Sequence, residues 1–141
     1  MNVSKVMSRD VKIASPDDAL QDAARMMQDI DAGALPVGEN DRLVGMLTDR
    51  DITVRAVAQG KAPDTTKVRD VMTTDVKYMY EDETIEDAAR NMSQLQVRRL
   101  PVLSRDKRLV GIVSLGDVAN RQSRAAASAL KNISQPDRPA T

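Results

Sequence analysis

The chain has 141 residues with 21 Lys and Arg against 21 Asp and Glu, so no net field recruits nucleic acid or an anionic membrane. It contains neither Cys nor His, which removes disulfides, thiolate nucleophiles, imidazole bases and the commonest transition-metal ligands. Its only aromatic residues are Tyr78 and Tyr80, too few to stack single-stranded bases, so the core falls to Val, Leu, Ile, Ala and eight Met.

What remains for chemistry is carboxylates, hydroxyls and amines, and no Ser–Lys or metal-ligand constellation is legible among them, so the reading is of a non-enzyme. No apolar run approaches the roughly 20 residues that span a bilayer, and the start Met1-Asn2-Val3-Ser4-Lys5-Val6 has no signal-peptide core. A cytoplasmic protein that does not engage membranes is expected.

In chain order, Val6-Met7 opens a pattern that recurs. Asp10-Val11-Lys12-Ile13 is β-prone, and Ser15-Pro16-Asp17-Asp18 then reads as a helix start, with an N-cap, a proline at the first helical position and early negative charge. The apolar face of that helix is Leu20, Ala23, Ala24, Met27 and Ile30. Ala34-Leu35-Pro36-Val37, the turn Glu39-Asn40-Asp41 and Leu43-Val44-Gly45-Met46-Leu47 read as a β-hairpin, with Pro36, like Pro101 in the second copy, at an edge or entry position. A second helix is expected from Asp49 to about Gln59, stopped by Gly60.

Val71-Met72 then repeats Val6-Met7 at an offset of 65 residues, and Ala88-Ala89-Arg90 repeats Ala23-Ala24-Arg25. Asp75-Val76-Lys77-Tyr78 is the second β-prone run, and Ile85, Ala88, Ala89, Met92 and Leu95 are the second helical face. Leu100-Pro101-Val102 repeats Leu35-Pro36-Val37; one extra turn residue then moves the offset to 66, so that Leu109-Val110-Gly111 matches Leu43-Val44-Gly45 and Asp117 matches Asp51. The unit is strand, helix, strand, strand, helix, twice, an α/β arrangement in which neither copy buries its own apolar faces unaided.

The expected organisation is a first repeat over 1–60, a linker over 61–67, a second repeat over 68–122, a helical extension over 123–133 and a flexible tail over 134–141. The Ala-rich stripe in the extension is read as a packing surface, and Met26, Met27, Met46, Met72, Met79 and Met92 as core fillers. Asp17-Asp18 and Glu81-Asp82-Glu83 have the composition of a hard-cation site, but their place at helix starts favours complementing the dipole, and no metal site is assigned.

Two segments carry the candidate chemistry: Gly45-Met46-Leu47-Thr48-Asp49-Arg50-Asp51 and Gly111-Ile112-Val113-Ser114-Leu115-Gly116-Asp117. In each, a strand ends in a hydroxyl residue and a carboxylate follows three positions later. This is the spacing of a capping box. The same pair one turn apart can also accept the two hydroxyls of a ribose beside a helix start that suits an anion, so both readings stand.

Taken together, the Val-Met start, the Ala-Ala-Arg helix, Leu-Pro-Val, Leu-Val-Gly, and Thr48/Asp51 with Ser114/Asp117 resemble the tandem CBS-domain pair, or Bateman module, over residues 3 to about 120. The resemblance implies two β-α-β-β-α halves related by a pseudo-twofold axis, clefts for adenosine-containing ligands, and pairing of modules into a homodimer. It implies that Thr48, Asp51, Ser114 and Asp117 hold ribose, and that Val11, Ile13, Leu35 and Pro36, or Val76, Leu100 and Pro101, line adenine. It assigns phosphate to Arg98 and Arg99, with Arg50 as the alternative charge in the first copy, where Gly33-Ala34 stand instead. Arg98 and Arg99 as solvated surface charges, and Asp49-Arg50-Asp51 as a local ion-pair cluster, are the plainer readings.

The function so implied is a regulatory module that senses AMP, ADP, ATP, NAD or S-adenosylmethionine, requires no cofactor, and signals to an effector protein. The alternative is a dimeric scaffold with vestigial clefts.

Overall fold

Prolines at matching places in the two hairpins set how far each sheet extends. The computed structural model describes residues 1–120 and divides into two units, Lys12–Val76 and Met1–Val11 with Lys77 onward. The expected helical extension and tail, with their Ala-rich stripe, lie outside the described residues.

In the Lys12–Val76 unit, β1 (Ala34–Glu39) pairs antiparallel with β2 (Arg42–Thr48). Asn40 and Asp41 both take positive φ, at 55° and 63°, which closes a two-residue turn whose twist matches the strands. Register slips between Val37 and Gly38, leaving Val44 as the extra residue of a bulge. The β-prone run 10–13 does not form a strand; it shrinks to one parallel bridge between Ala14 and Val37. Ala14 N–H donates to the Pro36 carbonyl at 3.0 Å and Gly38 N–H to the Ala14 carbonyl at 2.9 Å. The next rung would need an N–H from Pro36, which has none, so the ladder stops there.

In the Met1–Val11 and Lys77 unit the same plan gives a three-stranded sheet in the order β3-β4-β5, with β3 (Met79–Tyr80), β4 (Arg99–Leu103) and β5 (Leu109–Ser114). β3 is parallel to β4 and starts at Met79, so the β-prone run 75–78 is corrected to a strand beginning just beyond it. Pro101 is therefore in the central strand rather than at an edge. It is tolerated because the face on which it lacks a donor is where β3 begins.

α1 (Leu20–Ile30) and α3 (Ile85–Leu95) lay one face on each sheet. Ser15 does not cap α1; it closes a turn in which Asp18 accepts its N–H at 2.8 Å, and the helix begins at Leu20. The N-cap Ala19 has no side chain for the task, and the segment read as a linker supplies it: Leu20 N–H donates to the Thr66 carbonyl at 2.8 Å and Gln21 N–H to that of Pro63 at 3.0 Å. α3 has a side-chain cap instead, Thr84 with Asp87, and Ile85 N–H donates to the Met1 carbonyl at 3.1 Å. Ala88, Ala89 and Met92 are buried under α3; under α1 Ala23 and Met27 are buried while Ala24, Ile30 and, at the end of α3, Leu95 are exposed.

The second helix of the first copy, α2 (Asp49–Asp51), widens into a π-helical stretch over Ile52–Val57. Thr53 Oγ1 donates to the Asp49 carbonyl at 3.1 Å, engaging the acceptor an α-turn uses, and three β-branched residues at 52–54 crowd the helix. In the second copy α4 spans Leu115–Ala119.

Each unit has its own core, and each core takes in the Val-Met segment that opens the other copy in sequence. Val3 and Met7 join Met79, Ile85, Met92 and Leu100; Val68 and Val71 join Leu20, Leu35, Val37 and Leu47. Backbone bridges hold these segments on the outer hairpin edges, Ser8 on Ile112 and Thr73 on Met46. A Cβ on Gly111 would lie 2.7 Å from Met7 Sδ and 2.8 Å from the Ser8 carbonyl; on Gly45 it would lie 2.7 Å from Met72 Sδ and 3.0 Å from the Thr73 carbonyl. The Val-Met and Leu-Val-Gly motifs are thus the two sides of one contact.

Because the bridged backbone cannot yield as a side chain can, Gly111→Ala and Gly45→Ala are each expected to cost about 1–3 kcal/mol in urea unfolding. Gly116→Ala, whose Cβ would meet nothing closer than the Ser114 hydroxyl at 3.6 Å, serves as the control.

Asp87 supplies a pH-dependent term. Its carboxyl is held below the ordinary carboxylate value first by the Thr84 backbone N–H and further by the Arg90 side chain. Stability from the ionised cap is present above the unfolded value near 3.8 and is lost as pH falls through the depressed folded value. Asp87→Ala is expected to be less stable by about 1 kcal/mol at pH 7. In a series of urea curves from neutral to strongly acid pH, the gap to wild type should close at the acid end.

Candidate functional site

Both hydroxyl–carboxylate segments form full capping boxes. Thr48 N–H donates to Asp51 Oδ2 at 3.0 Å while Asp51 N–H donates to Thr48 Oγ1 at 3.0 Å. The second copy repeats this, with Ser114 N–H to Asp117 Oδ2 at 2.9 Å and Asp117 N–H to Ser114 Oγ at 3.1 Å. β2 and β5 deliver the hydroxyl residue in extended geometry, and the helix that follows turns the carboxylate back on it.

Capping leaves valences over. Each hydroxyl oxygen accepts one N–H and keeps its own proton to donate, and each carboxylate uses Oδ2 in the cap, which leaves Asp117 Oδ1 without a partner among the described residues and Asp51 Oδ1 3.9 Å from Arg55. All four residues are half-buried, so the groups outside the cap bonds are not sealed in the core. Two neighbouring hydroxyls of a sugar match that pair. The capping and ligand readings therefore use different lone pairs of the same groups.

Among the described residues the two caps have different neighbours. Arg55, which the sequence reading missed, reaches within 3.9 Å of Asp51 Oδ1 and donates to the Val71 and Met72 carbonyls at 3.3 Å. Its i,i+4 spacing from Asp51 was the available signal. No partner occupies Asp117 Oδ1 among the described residues.

A second difference lies in front of each hairpin. Asp49 N–H donates to the Gly33 carbonyl at 2.9 Å, and at the matching place Leu115 N–H donates to the Arg98 carbonyl at 2.8 Å. Arg50, Arg98 and Arg99 are exposed and their guanidinium groups form no ion pair among the described residues, so Asp49-Arg50-Asp51 is not an internal ion-pair cluster.

Of the residues assigned to adenine, Leu35 and Leu100 are 1% and 2% exposed, with side chains built into the two cores; Pro36 and Pro101 are buried beside them. Ile13 is 40% exposed, and Val11 and Val76 are half-buried. Val11 lies in the unit of the second hairpin and Val76 in that of the first, so the sequence grouping of Val11 with Leu35, and of Val76 with Leu100, crosses the unit boundary.

The acidic runs serve local pairing. Asp17 pairs with Arg69 and Lys67, and its carboxyl lies below its ordinary value chiefly through the Arg69 hydrogen bond. Asp82 pairs with Arg105 at 2.9 Å, with the same consequence, and Arg105 stacks over the Tyr80 ring at 4.2 Å. Among the described residues no group of three or more acidic side chains converges as a metal site. No described helix is long and apolar enough to cross a membrane.

A model of the CBS-domain family matches residues 3–57 and 68–124. The chain is 44% identical over 135 residues to the CBS domain-containing protein YhcV of Bacillus subtilis, covering 94% of this chain and 95% of that one. It is 39% identical over 115 residues to Hypoxic response protein 1 of Mycobacterium tuberculosis, covering 81% and 80%.

Among solved structures, Hypoxic Response Protein I, crystallised with two coordinated zinc ions, has a TM-score of 0.78 at 37% identity, covering 86% of this chain and 98% of that one. Zinc prefers nitrogen and sulfur donors, and this chain, without His or Cys, offers none of those side chains. The CBS domain pair of protein MJ0100, in complex with 5′-methylthioadenosine and S-adenosyl-L-methionine, has a TM-score of 0.73 at 28% identity, covering 85% and 94%. With each matched stretch carrying the hairpin and the hydroxyl–carboxylate cap, the chain belongs to the CBS-domain family and has two CBS domains in tandem.

Proposed function

We propose that this chain is a regulatory module that binds adenosine-containing ligands through Thr48/Asp51 and Ser114/Asp117 and passes the signal to an effector protein. The observation that carries the reading is the reciprocal hydroxyl–carboxylate cap, present in both copies at the same place, with a hydroxyl proton and a second carboxylate oxygen lying outside the cap bonds. The adenosine ligands in the MJ0100 complex support the ligand class. Arg98 and Arg99, exposed and without carboxylate partners among the described residues, are available to a phosphate in the second copy. A ligand drives output only by binding two conformations or association states differently, so the signal passes through a partner or a second copy of the chain.

The competing reading is a dimeric scaffold, favoured by the self-sufficiency of the caps, which need no ligand to be satisfied. Calorimetric titration with AMP, ADP, ATP, NAD and S-adenosylmethionine separates the two. Saturable binding is expected, with Asp117→Ala and Asp51→Ala each abolishing the contribution of its own copy while circular dichroism shows the fold retained. Absence of binding by any of the five at millimolar concentration would give the scaffold reading the lead.

A further inference from the structure

The backbone bond that joins the start of each hairpin to the start of the following helix places two side-chain positions against one another. In the second copy these are Arg98 and Leu115; in the first they are Gly33 and Asp49. A Cβ built on Gly33 would lie 2.7 Å from Asp49 Oδ2. The Asp49 carboxylate therefore sits over the Gly33 α-carbon, along the direction in which a side chain at that position would leave the backbone. Where the second copy carries an arginine side chain, the first holds a carboxylate.

The orientation of Asp49 is stabilised locally, since Oδ1 accepts the Arg50 N–H at 2.8 Å and no cation pairs with the carboxylate among the described residues. Its charge is thus left unneutralised by any described side chain, one residue along the chain from the Thr48 assigned to ribose. Over the four equivalent positions that differ, Gly33, Ala34, Asp49 and Arg50 sum to zero, whereas Arg98, Arg99, Leu115 and Gly116 sum to two positive charges.

We propose that the two CBS domains select adenosine ligands of opposite tail charge: the second takes a 5′-phosphorylated adenosine, and the first takes one whose 5′ substituent is uncharged or cationic, with Asp49 as the residue that refuses phosphate. The proposal rests on the ribose assignment above and adds the specificity of each copy. Two arginines form charge-assisted bonds with a phosphate, whereas a carboxylate at the same place repels it and attracts a sulfonium or ammonium. Both effects weaken with salt because the groups are exposed.

The test compares AMP with 5′-methylthioadenosine, which differ in the 5′ substituent, using the full-length protein and calorimetry at low and high salt. Asp51→Asn and Asp117→Asn report which copy holds which ligand. AMP is expected to lose its site in Asp117→Asn and 5′-methylthioadenosine its tighter site in Asp51→Asn. Arg98→Ala should weaken AMP at least tenfold more than it weakens 5′-methylthioadenosine. Asp49→Asn, which keeps an oxygen for the Arg50 N–H, should strengthen AMP at the first copy about tenfold. If both ligands bind both copies with the same preference, or if Asp49→Asn leaves the AMP affinity of the first copy unchanged, the charge assignment is wrong while the adenosine reading survives. If neither ligand binds wild type, both fall together.

Discussion

The close approach of a methionine to a glycine on the outer strand of each hairpin is the constraint on which the units depend. Met7 lies against Gly111 and Met72 against Gly45, and in both places a two-hydrogen-bond bridge runs alongside. The bridge pairs an edge that would otherwise be open, and the methionine closes the core beneath it. A segment that opens one sequence copy thus completes the sheet of the other. This is how two short hairpins, each too small for a core of its own, come to bury Leu20, Leu35 and Leu47 in one unit and Ile85, Met92 and Leu100 in the other.

From that frame follows the position of the caps. The middle of each hairpin is held on both sides, by Ala14 or β3 on one edge and by Thr73 or Ser8 on the other, so the strand end that delivers Thr48 or Ser114 is held by backbone pairing alone. The reciprocal bonds with Asp51 and Asp117 then hold each hydroxyl oxygen and each carboxylate in place. Preorganisation of this kind lowers the ordering cost that binding must overcome. Arg55 ties the first cap to the carbonyls of Val71 and Met72, so in the Lys12–Val76 unit the candidate ligand group and the core-closing segment share one side chain.

The sequence sets Gly33-Ala34 against Arg98-Arg99, and the geometry adds Asp49 to that divergence. Placed in register through the Asp49-to-Gly33 and Leu115-to-Arg98 backbone bonds, they become one position that holds a carboxylate in the first copy and an arginine in the second. The α1 cap shows the same pattern: Thr84 caps α3 from its own sequence, whereas α1 takes its first acceptors from the Pro63 and Thr66 carbonyls. Equivalent elements have been satisfied by different means.

The repeat, the helix faces, the hairpins and the hydroxyl–carboxylate spacing were legible in the sequence because each depends on local periodicity or on residues within one turn of each other. The β-prone runs at 10–13 and 75–78 failed as strands because strand length is set by the partner, and the donor missing at Pro36 or Pro101 lies on another element. Ser15 failed as the α1 cap because a carbonyl more than forty residues away took that place. Leu35 and Leu100 entered the cores and Arg55 joined Asp51 for the same reason: burial and long-range pairing are properties of the packed units. Sequence alone determined which groups the chain can offer, and tertiary structure decided which hydrogen-bond valences and charges remain unspent, since those depend on neighbours that only folding brings together.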